Sequence, residues 1–314
     1  MFFDHLFALA SPAGSKARLS ILMFHRVLAA RDPLFPDEPD IARFDEIMGW
    51  IKAWFRVLPL DEAIARLKTG ALPARSAAIT FDDGYADNFE NAVPILRKHG
   101  LTATFFVAAG FLDGGRMWND TVIEAIRACR KEALDLQSLG IGAFRLDSIG
   151  GKRRAIETIL PKIKYLPVGE RVDRAGRIAG LAGVELPSGL MMTSAQVRRM
   201  RRSGMQIGAH TMRHPILARL GIAEAYSEIA ESKRFLETLL GTRVGLFAYP
   251  NGKPETDFLA EHAGLVKELG FDAAFSTAPG CATGGRDLFR LPRFTPWDRT
   301  RHRFALRLLR NMRG

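Results

Sequence analysis

The chain has 314 residues, of which 47% are hydrophobic and 25% charged, and its formal net charge is +11. This length suits one large domain or two small ones with a substantial core. Its two cysteines, Cys129 and Cys281, lie far apart and argue against a disulfide framework. No stretch reaches the ~20 apolar residues needed to span a bilayer. Residues 1–10 lack a basic region and contain Asp4, so we predict a cytoplasmic protein rather than a secreted one.

Short apolar runs alternate with amphipathic segments along most of the chain. Strands are predicted over residues 19–24, 77–81, 102–107, 205–209, 244–249 and 271–276. Helices are predicted over residues 44–55, 61–68, 87–99, 223–240 and 255–269. Gly100 suits the end of one helix, and Thr193 suits the start of another that runs to residue 200. Repeated β-then-α units predict an α/β fold, with a parallel sheet closed or nearly closed as a barrel.

Residues 111–190 interrupt this alternation. They contain helical patterns over residues 122–134 and 155–163, a glycine-containing loop near residue 150, and no clear strand pattern. We predict a helical insertion within a single domain of residues 1–314. Because the loops that follow barrel strands open on the catalytic face, the insertion is expected over or beside the site.

Two short segments bring metal-binding and acid–base residues to the ends of predicted strands. Residues 80–85 (Thr-Phe-Asp-Asp-Gly-Tyr) and residues 210–214 (His-Thr-Met-Arg-His) each follow an apolar run. Either segment alone is weak evidence, because Asp-Asp-Gly is common in turns. Together, two imidazoles and one carboxylate form a metal set with open positions, which leaves the other carboxylate as a base. The pair predicts a hydrolase with one divalent metal; zinc fits best, and cobalt or nickel would also fit.

These segments resemble motifs of the polysaccharide deacetylase family, also called carbohydrate esterase family 4 or the NodB-homology domain. Residues 80–84 resemble its first motif, residues 210–214 its second, residues 247–252 a variant of its third, and residues 291–293 a piece near its C-terminal end. The resemblance spans about residues 19 to 296. It implies a distorted (β/α) barrel, with Asp82 as the general base and Asp83, His210 and His214 as metal ligands.

Two histidines compete for the role of the acid that protonates the leaving amine. Family members with the usual motif order use a histidine near the C-terminal end, where this chain has only His302 in an arginine-rich segment. His25 ends the first predicted strand, and residues 24–27 resemble members whose motif order is circularly permuted. We predict that His25 is the acid; a histidine without a role is the alternative.

The third motif departs from its common form, because Ala248 occupies the position of an arginine that braces the base. Arg293 could replace that arginine from another strand and hold Asp82 ionised. Backbone N–H groups near Tyr85 or Asn251 are expected to stabilise the oxyanion.

Sugar binding is predicted for aromatic and polar residues near these motifs, with core packing as the alternative for the aromatic ones. The predicted substrate-binding residues are Tyr85, Trp118, Asn119, Asp120, Tyr249, Asn251 and Trp297.

Residues 299–314 form a predicted basic C-terminal helix with six arginines and no acid. Phe304, Leu308 and Leu309 interleave with the arginines. The helix either packs its leucine face on the barrel, which we favour, or rests on an anionic membrane surface. The charge comes without a recognition motif, so nucleic acid is not a predicted partner.

The leading functional hypothesis is removal of N-acetyl groups from amino sugars of a polysaccharide or of a lipid-linked glycan at the inner membrane face. Deformylation of a lipid-linked amino sugar and a catalytically silent metal- or glycan-binding module are the alternatives. The presence of both Asp82 and Asp83 argues against the silent module, because a binding protein needs no base.

Overall fold

In a computed structural model, which describes residues 2–313, strands and helices alternate along most of the chain. The strands are β1 (Arg18–Phe24), β2 (Arg56–Val57), β3 (Ser76–Phe81), β4 (Thr104–Val107), β5 (Ala133–Asp135), β6 (Ala143–Arg145), β7 (Gln206–Ala209), β8 (Leu246–Ala248), β9 (Ala273–Phe275) and β10 (Ala282–Thr283). The helices are α1 (Phe2–Ala10), α2 (Ile41–Trp54), α3 (Leu60–Lys68), α4 (Val93–His99), α5 (Trp118–Ala128), α6 (Ile149–Lys164), α7 (Val168–Ala182), α8 (Ser194–Arg202), α9 (Ile222–Leu240), α10 (Ala260–Glu268) and α11 (Arg301–Arg313).

The main sheet of the described residues has the strand order β10-β1-β3-β4-β7-β8-β9, with β2 also beside β3. Its strands are parallel except β10, which is antiparallel to β1. Residues 291–294 bridge β9 and β1 and so close the parallel part of the sheet: Leu291 pairs with Phe275 of β9, and Phe294 pairs with Leu22 of β1. The predicted distorted (β/α) barrel is confirmed.

The strands of the main sheet contribute to two apolar clusters, one on each face, because successive side chains point to opposite faces of a sheet. Inner-face residues such as Ala78, Phe106 and Phe275 cluster with residues of α3. Outer-face residues such as Phe81 and Phe247 pack with α2, α4 and α9. The residue that follows Phe81 therefore belongs to the inner face.

The chain between β4 and β7 builds a second apolar core from α5, α6 and α7. It also contains an antiparallel hairpin, in which Leu134 of β5 pairs with Phe144 of β6. The expectation that this region holds no strand was wrong. Each strand is only three residues long, which is too short for alternation to be recognised.

The two ends of the described chain pack together outside the barrel. Phe7 of α1, with Phe304 and Leu308 of α11, belongs to the main apolar cluster. The helix predicted over residues 299–314 thus packs one face on the fold, as favoured; Met1 and Gly314 lie outside the described residues. Among residues 2–313, no helix is long and apolar enough to cross a bilayer.

Candidate active site

Both carboxylates of the first motif lie at the C-terminal end of β3. Asp82 continues the inner-face row of Ala78 and Thr80. Asp83 has a φ of 76° and Gly84 a φ of 89°. A left-handed conformation at a non-glycine residue is strained, and such strain is characteristic of functional sites. This turn brings two neighbouring carboxylates, which a regular strand would direct apart, into the same buried site.

Asp82 is paired with Arg293 in a bidentate ion pair inside the barrel. Arg293 Nη1 donates to Asp82 Oδ1 at 2.7 Å and Nη2 to Oδ2 at 2.6 Å, while Nε donates to the Ser276 carbonyl at 2.9 Å. Burial alone would raise the pKa of Asp82, but the charges of Arg293 and His210 and the bonds from Arg293 keep it below its ordinary value. The carboxylate is held ionised, as a base requires.

The inner face of the barrel has small residues on β7 and β8, Gly208 and Ala248. A Cβ on Gly208 would lie 2.4 Å from the Phe106 ring, so this position accepts only glycine without rearrangement. The Arg293 guanidinium lies 5.7 Å from the centre of the Phe106 ring. The arginine missing at position 248 is therefore supplied from the segment that closes the barrel.

Asp83, His210 and His214 form a cluster that suits a divalent cation. Asp83 Oδ1 lies 3.3 Å from His210 Nε2 and 3.2 Å from His214 Nε2. The three ligand atoms all lie within 4.8 Å of one another. Two donors bound to one zinc ion at ~2.1 Å are roughly 3.0–3.4 Å apart at octahedral to tetrahedral angles. The donor set and its spacing fit a metal.

The pKa of Asp83 is also shifted. Burial would raise it, but the charge of His214 and the hydrogen bonds with His210 and His214 hold it well below its ordinary value. His210 Nδ1 lies 2.7 Å from the Ala248 carbonyl, so Nδ1 carries the proton and donates it there. Nε2 is therefore the ring nitrogen that faces Asp83, and it would be the nitrogen that binds a metal when one replaces the proton between them.

The two histidines are held by a loop rather than by a helix. Thr211 and His214 have φ values of 63° and 52°. The buried carboxylate of Glu228, on α9, accepts hydrogen bonds from the N–H groups of Met212 at 3.0 Å and Arg213 at 2.8 Å. Glu228 was not predicted, because in sequence it is an ordinary polar residue of an amphipathic helix.

A cavity of about 260 Å³, the site cleft, opens over these residues. It is lined by His25, Asp82, Asp83, Trp118, Asn119, Leu160, Lys164, His210, His214, Asn251 and Thr277. The cleft brings together every predicted catalytic and metal residue except Arg293, which lies beneath Asp82. Leu160, Lys164 and Thr277 were missed, since no motif marks them.

A second cavity of about 260 Å³, the side pocket, meets the site cleft at His25, Asp83 and Asn119. Its other lining residues include Arg26, Glu38, Tyr85, Asp120 and Arg127. Glu38 and Arg127 were not predicted, because they lie far from the motifs in sequence; Arg26 directly follows His25, but its residue type alone indicated no role.

His25 lies next to Asp82 on the neighbouring strand. Phe24 pairs with Phe81 in the β1–β3 register, so His25 and Asp82 follow as the next residues of the two strands. His25 lines both cavities. His302, its competitor, is exposed and packs against Phe3 of α1 with 5.6 Å between ring centres. The geometry favours His25 as the acid.

Tyr85 and Asp120 connect the first motif to the insertion. Tyr85 Oη donates to Asp120 at 3.0 Å, and the Arg26 guanidinium lies 4.3 Å from the Tyr85 ring centre. Burial is the main cause that raises the pKa of Asp120 to about 6; the Tyr85 bond lowers it and the charge of Asp83 raises it. Both side chains line the side pocket and hold α5 against the motif.

The Tyr85 backbone is oriented by its neighbours. Ala86 N–H donates to the Leu190 carbonyl, and Met192 N–H donates to the Gly84 carbonyl. Because alternate residues of an antiparallel pair form these bonds, the Tyr85 N–H points away from the residue 190–192 segment. This direction suits an oxyanion donor.

Two predicted substrate-binding residues lie elsewhere. Tyr249 is buried on the outer face, stacks on Phe258 at 3.7 Å and donates its hydroxyl to the Phe289 carbonyl at 2.8 Å, so this prediction was wrong. Its neighbour Ala248 takes the inner face, and alternation turns Tyr249 outward. Trp297 is 59% exposed and lines a neighbouring cleft that shares only Glu38 with the side pocket.

A (β/α) barrel with an arginine-braced aspartate beside two histidines and a second aspartate defines a class of metal-site hydrolases. The polysaccharide deacetylase family model matches residues 69–138 and 165–274, which is more than half of the chain. The chain belongs to this family, as its motifs predicted, and it is an enzyme of the hydrolase class.

Relatives and solved structures agree with this assignment. YxkH of Bacillus subtilis is 23% identical over 279 residues, covering 88% of this chain and 71% of YxkH. Poly-beta-1,6-N-acetyl-D-glucosamine N-deacetylase of Staphylococcus aureus is 31% identical over 104 residues, covering 33% of this chain and 34% of that protein. The structure of Streptococcus pyogenes deacetylase PplD has a TM-score of 0.62 at 20% identity and covers 94% of this chain and 98% of its own. IcaB of Ammonifex degensii has a TM-score of 0.59 at 18% identity and covers 97% and 99%. At these identities the two structures show the fold alone.

Proposed function

We propose that the protein is a metal-dependent deacetylase that removes N-acetyl groups from amino sugars of a glycan. The observation that carries this proposal is the Asp82–Arg293 ion pair beside Asp83, His210 and His214, at the base of one open cleft. The N-acetylglucosamine polymer named for the Staphylococcus aureus relative supports the substrate class.

Asp83, His210 and His214 would hold one divalent cation. Two nitrogens and one carboxylate oxygen suit zinc, and cobalt or nickel also fit the set. Such a cation would act as a Lewis acid and lower the pKa of a bound water to about 7. The proposal of zinc is supported by this donor set and by the Nδ1 hydrogen bond that orients His210.

Asp82 and His25 supply the proton transfers. Asp82, ionised by its pairing with Arg293, takes a proton from the water as the water oxygen bonds to the amide carbon. His25, on the neighbouring strand, gives a proton to the amide nitrogen as the carbon–nitrogen bond breaks. One proton is accepted by Asp82 and one is donated by His25, and the second proton of the water stays with the carboxyl group. The products are the free amine and acetic acid, which ionises to acetate. The separation of base and acid onto two strands supports these roles.

The oxyanion is assigned to backbone donors beside the cleft. The Tyr85 N–H points away from its ladder partner. Asn251 lines the cleft with a φ of 59°, in a turn fixed by the Thr277 hydroxyl, which donates to the Asn251 carbonyl at 2.9 Å. Donors fixed before the reaction need no reorganisation as negative charge develops.

The test is release of acetate from N-acetylglucosamine oligomers by purified protein, before and after chelation and after added zinc. We expect acetate release that chelator abolishes and zinc restores. His210→Ala and His214→Ala should lose bound metal and activity together. Formate release from N-formyl substrates without acetate release would instead indicate a deformylase, and metal binding without turnover would indicate a silent module. Turnover unaffected by chelator would overturn the metal role.

The cytoplasmic location remains a prediction. It places the substrate among cytosolic or inner-face glycan precursors. Fractionation of cells that express the full chain, with detection in cytosol, membrane and medium, checks it directly.

A further inference from the structure

The α1 and α11 helices enclose a surface groove that folding does not account for. Its volume is about 890 Å³. Its lining includes Leu6, Leu9, Leu306, Leu309, Arg303 and Arg310. We call this surface the basic groove.

Apolar side chains in the basic groove remain in contact with water. Leu9 is 81% exposed and Leu306 is 61% exposed, although α11 already buries Phe304 and Leu308 on its other face. A helix needs one apolar face to pack on a domain. A second exposed apolar stripe, flanked by charge, indicates a binding surface.

The positive charge of the basic groove favours an anionic partner. Its lining has four arginines, of which Arg303 and Arg310 are exposed, and one acid, Asp298, which is paired with Arg307. A second copy docked by two-fold symmetry would set this surface against itself, so like charges would oppose one another. Leucines between arginines on a surface helix match the boundary between acyl chains and anionic headgroups.

A row of clefts leads from the basic groove to the active site. The groove shares Asp298 with the cleft lined by Trp297 and Glu38. That cleft shares Glu38 with the side pocket, which opens into the site cleft at Asp83. Each cavity between the basic groove and the site therefore adjoins the next.

We propose that the basic groove docks the protein on an anionic membrane surface, and that the glycan it deacetylates is attached to a lipid. The second part rests on the proposed deacetylase function. Docking holds the site close to the membrane, so a lipid-anchored amino sugar is presented at high local concentration.

The first experiment is flotation of the full chain with phosphatidylcholine vesicles that contain or lack phosphatidylglycerol. Wild type should float only with the anionic vesicles. Each arginine near such a surface contributes about five-fold in affinity, so Arg303→Gln with Arg310→Gln should weaken binding about 25-fold. Leu9→Ser with Leu306→Ser should also weaken binding at unchanged charge, which separates insertion from simple attraction.

The matched control is Arg201→Gln with Arg202→Gln on α8, which removes the same charge from another exposed helix. Its binding should equal that of wild type, and thermal unfolding of all variants confirms folding. Docking would be overturned if the control lost as much binding as the groove variants, or if wild type did not bind anionic vesicles. It would also be overturned if light scattering showed a groove-dependent dimer without vesicle binding.

The second experiment compares acetate release from soluble oligomers with release from the same sugar displayed on vesicles. The groove variants should keep the soluble rate and lose at least ten-fold on vesicles. Groove variants that keep the wild-type rate in both assays would overturn the proposal of a lipid-linked substrate. Vesicle binding without any acetate release would reject the deacetylase function alone, whereas soluble activity without vesicle binding would reject docking alone.

Discussion

Two buried carboxylates near the site, Asp82 in the barrel and Asp120 in the insertion, have opposite environments. Asp82 is held by the guanidinium of Arg293 through two hydrogen bonds, and its pKa is lowered. Asp120 accepts hydrogen bonds from the hydroxyl of Tyr85, and its pKa is raised to about 6. Burial raises both pKa values, so the partner decides the charge state.

The difference reflects what each region contributes. The barrel closes through residues 291–294 and can place a cation at a fixed distance beneath the base. The insertion approaches over the top and joins the motif through a neutral hydroxyl. A carboxylate whose pKa is lowered by its ion pair and a nearby carboxyl whose pKa is raised to about 6 therefore coexist at one site.

The largest effect is expected for Asp82→Asn. The amide cannot accept the proton, so the rate of acetate release should fall by about 10²–10⁴-fold while metal content is unchanged. Asp120→Asn, the matched substitution in the insertion, should keep its rate within a few-fold because Asp120 does not transfer the proton. A variant of Asp82 with near-normal rate would show that the base is elsewhere.

Arg293→Met leaves Asp82 buried without its cation. Breaking a buried ion pair from one side costs about 3–5 kcal/mol, so the free energy of unfolding should fall by that amount in chemical denaturation. Adding Asp82→Asn to Arg293→Met should recover part of the loss, since no unpaired charge remains. Equal stability of the single and double variants would contradict a charge-pairing role.

His25 lies where the barrel and insertion cavities meet. His25→Ala should lower amide hydrolysis by about 10²-fold, but activated acetate esters should be affected less because their leaving groups need little protonation. Metal content should not change, and His302→Ala should be nearly silent. An amide-selective loss in His302→Ala would move the acid to α11, while equal loss on both substrates for His25→Ala would indicate positioning.

The smallest effect concerns stability at Asp120 and depends on pH. The folded-state pKa of about 6 exceeds the ordinary 3.8, so the folded state binds more protons between these values and stability falls as pH rises. Above about pH 6 the raised pKa of Asp120 lowers the free energy of unfolding by its full amount, at most about 3 kcal/mol. Asp120→Asn should stabilise the metal-free protein near neutral pH and not near pH 4. A pH-independent difference would refute the shift.

Much of the barrel is predictable because its strands are short apolar runs placed directly before polar motifs. Thr193 caps α8 in a reciprocal pair with Gln196, and Gly100 ends α4 with a φ of 68°. Such signals are local, so sequence is sufficient. Helix α7 was missed, since its glycines and charged residues weaken the helical pattern.

Parts of the site depend on closure of the barrel and could not be found from local patterns. The side of the sheet that each residue takes was unknown, and Tyr249 was placed on the wrong face for that reason. Glu228 and Lys164 reach the site from helices whose sequences are ordinary. The pairing of Asp82 with Arg293 could be anticipated only because the resemblance required an arginine.

The position of Arg293 in the segment that closes the barrel also has a consequence for synthesis of the chain on the ribosome. The proposed metal ligands and the proposed base lie within the first 214 residues, but the cation that pairs with Asp82 belongs to the segment between β9 and β1. A ribosome-bound chain that has not yet released residue 293 lacks the cation that lowers the pKa of Asp82, and its sheet is still open between β9 and β1. Hydrolytic competence should therefore appear only after residue 293 has emerged and paired with Asp82.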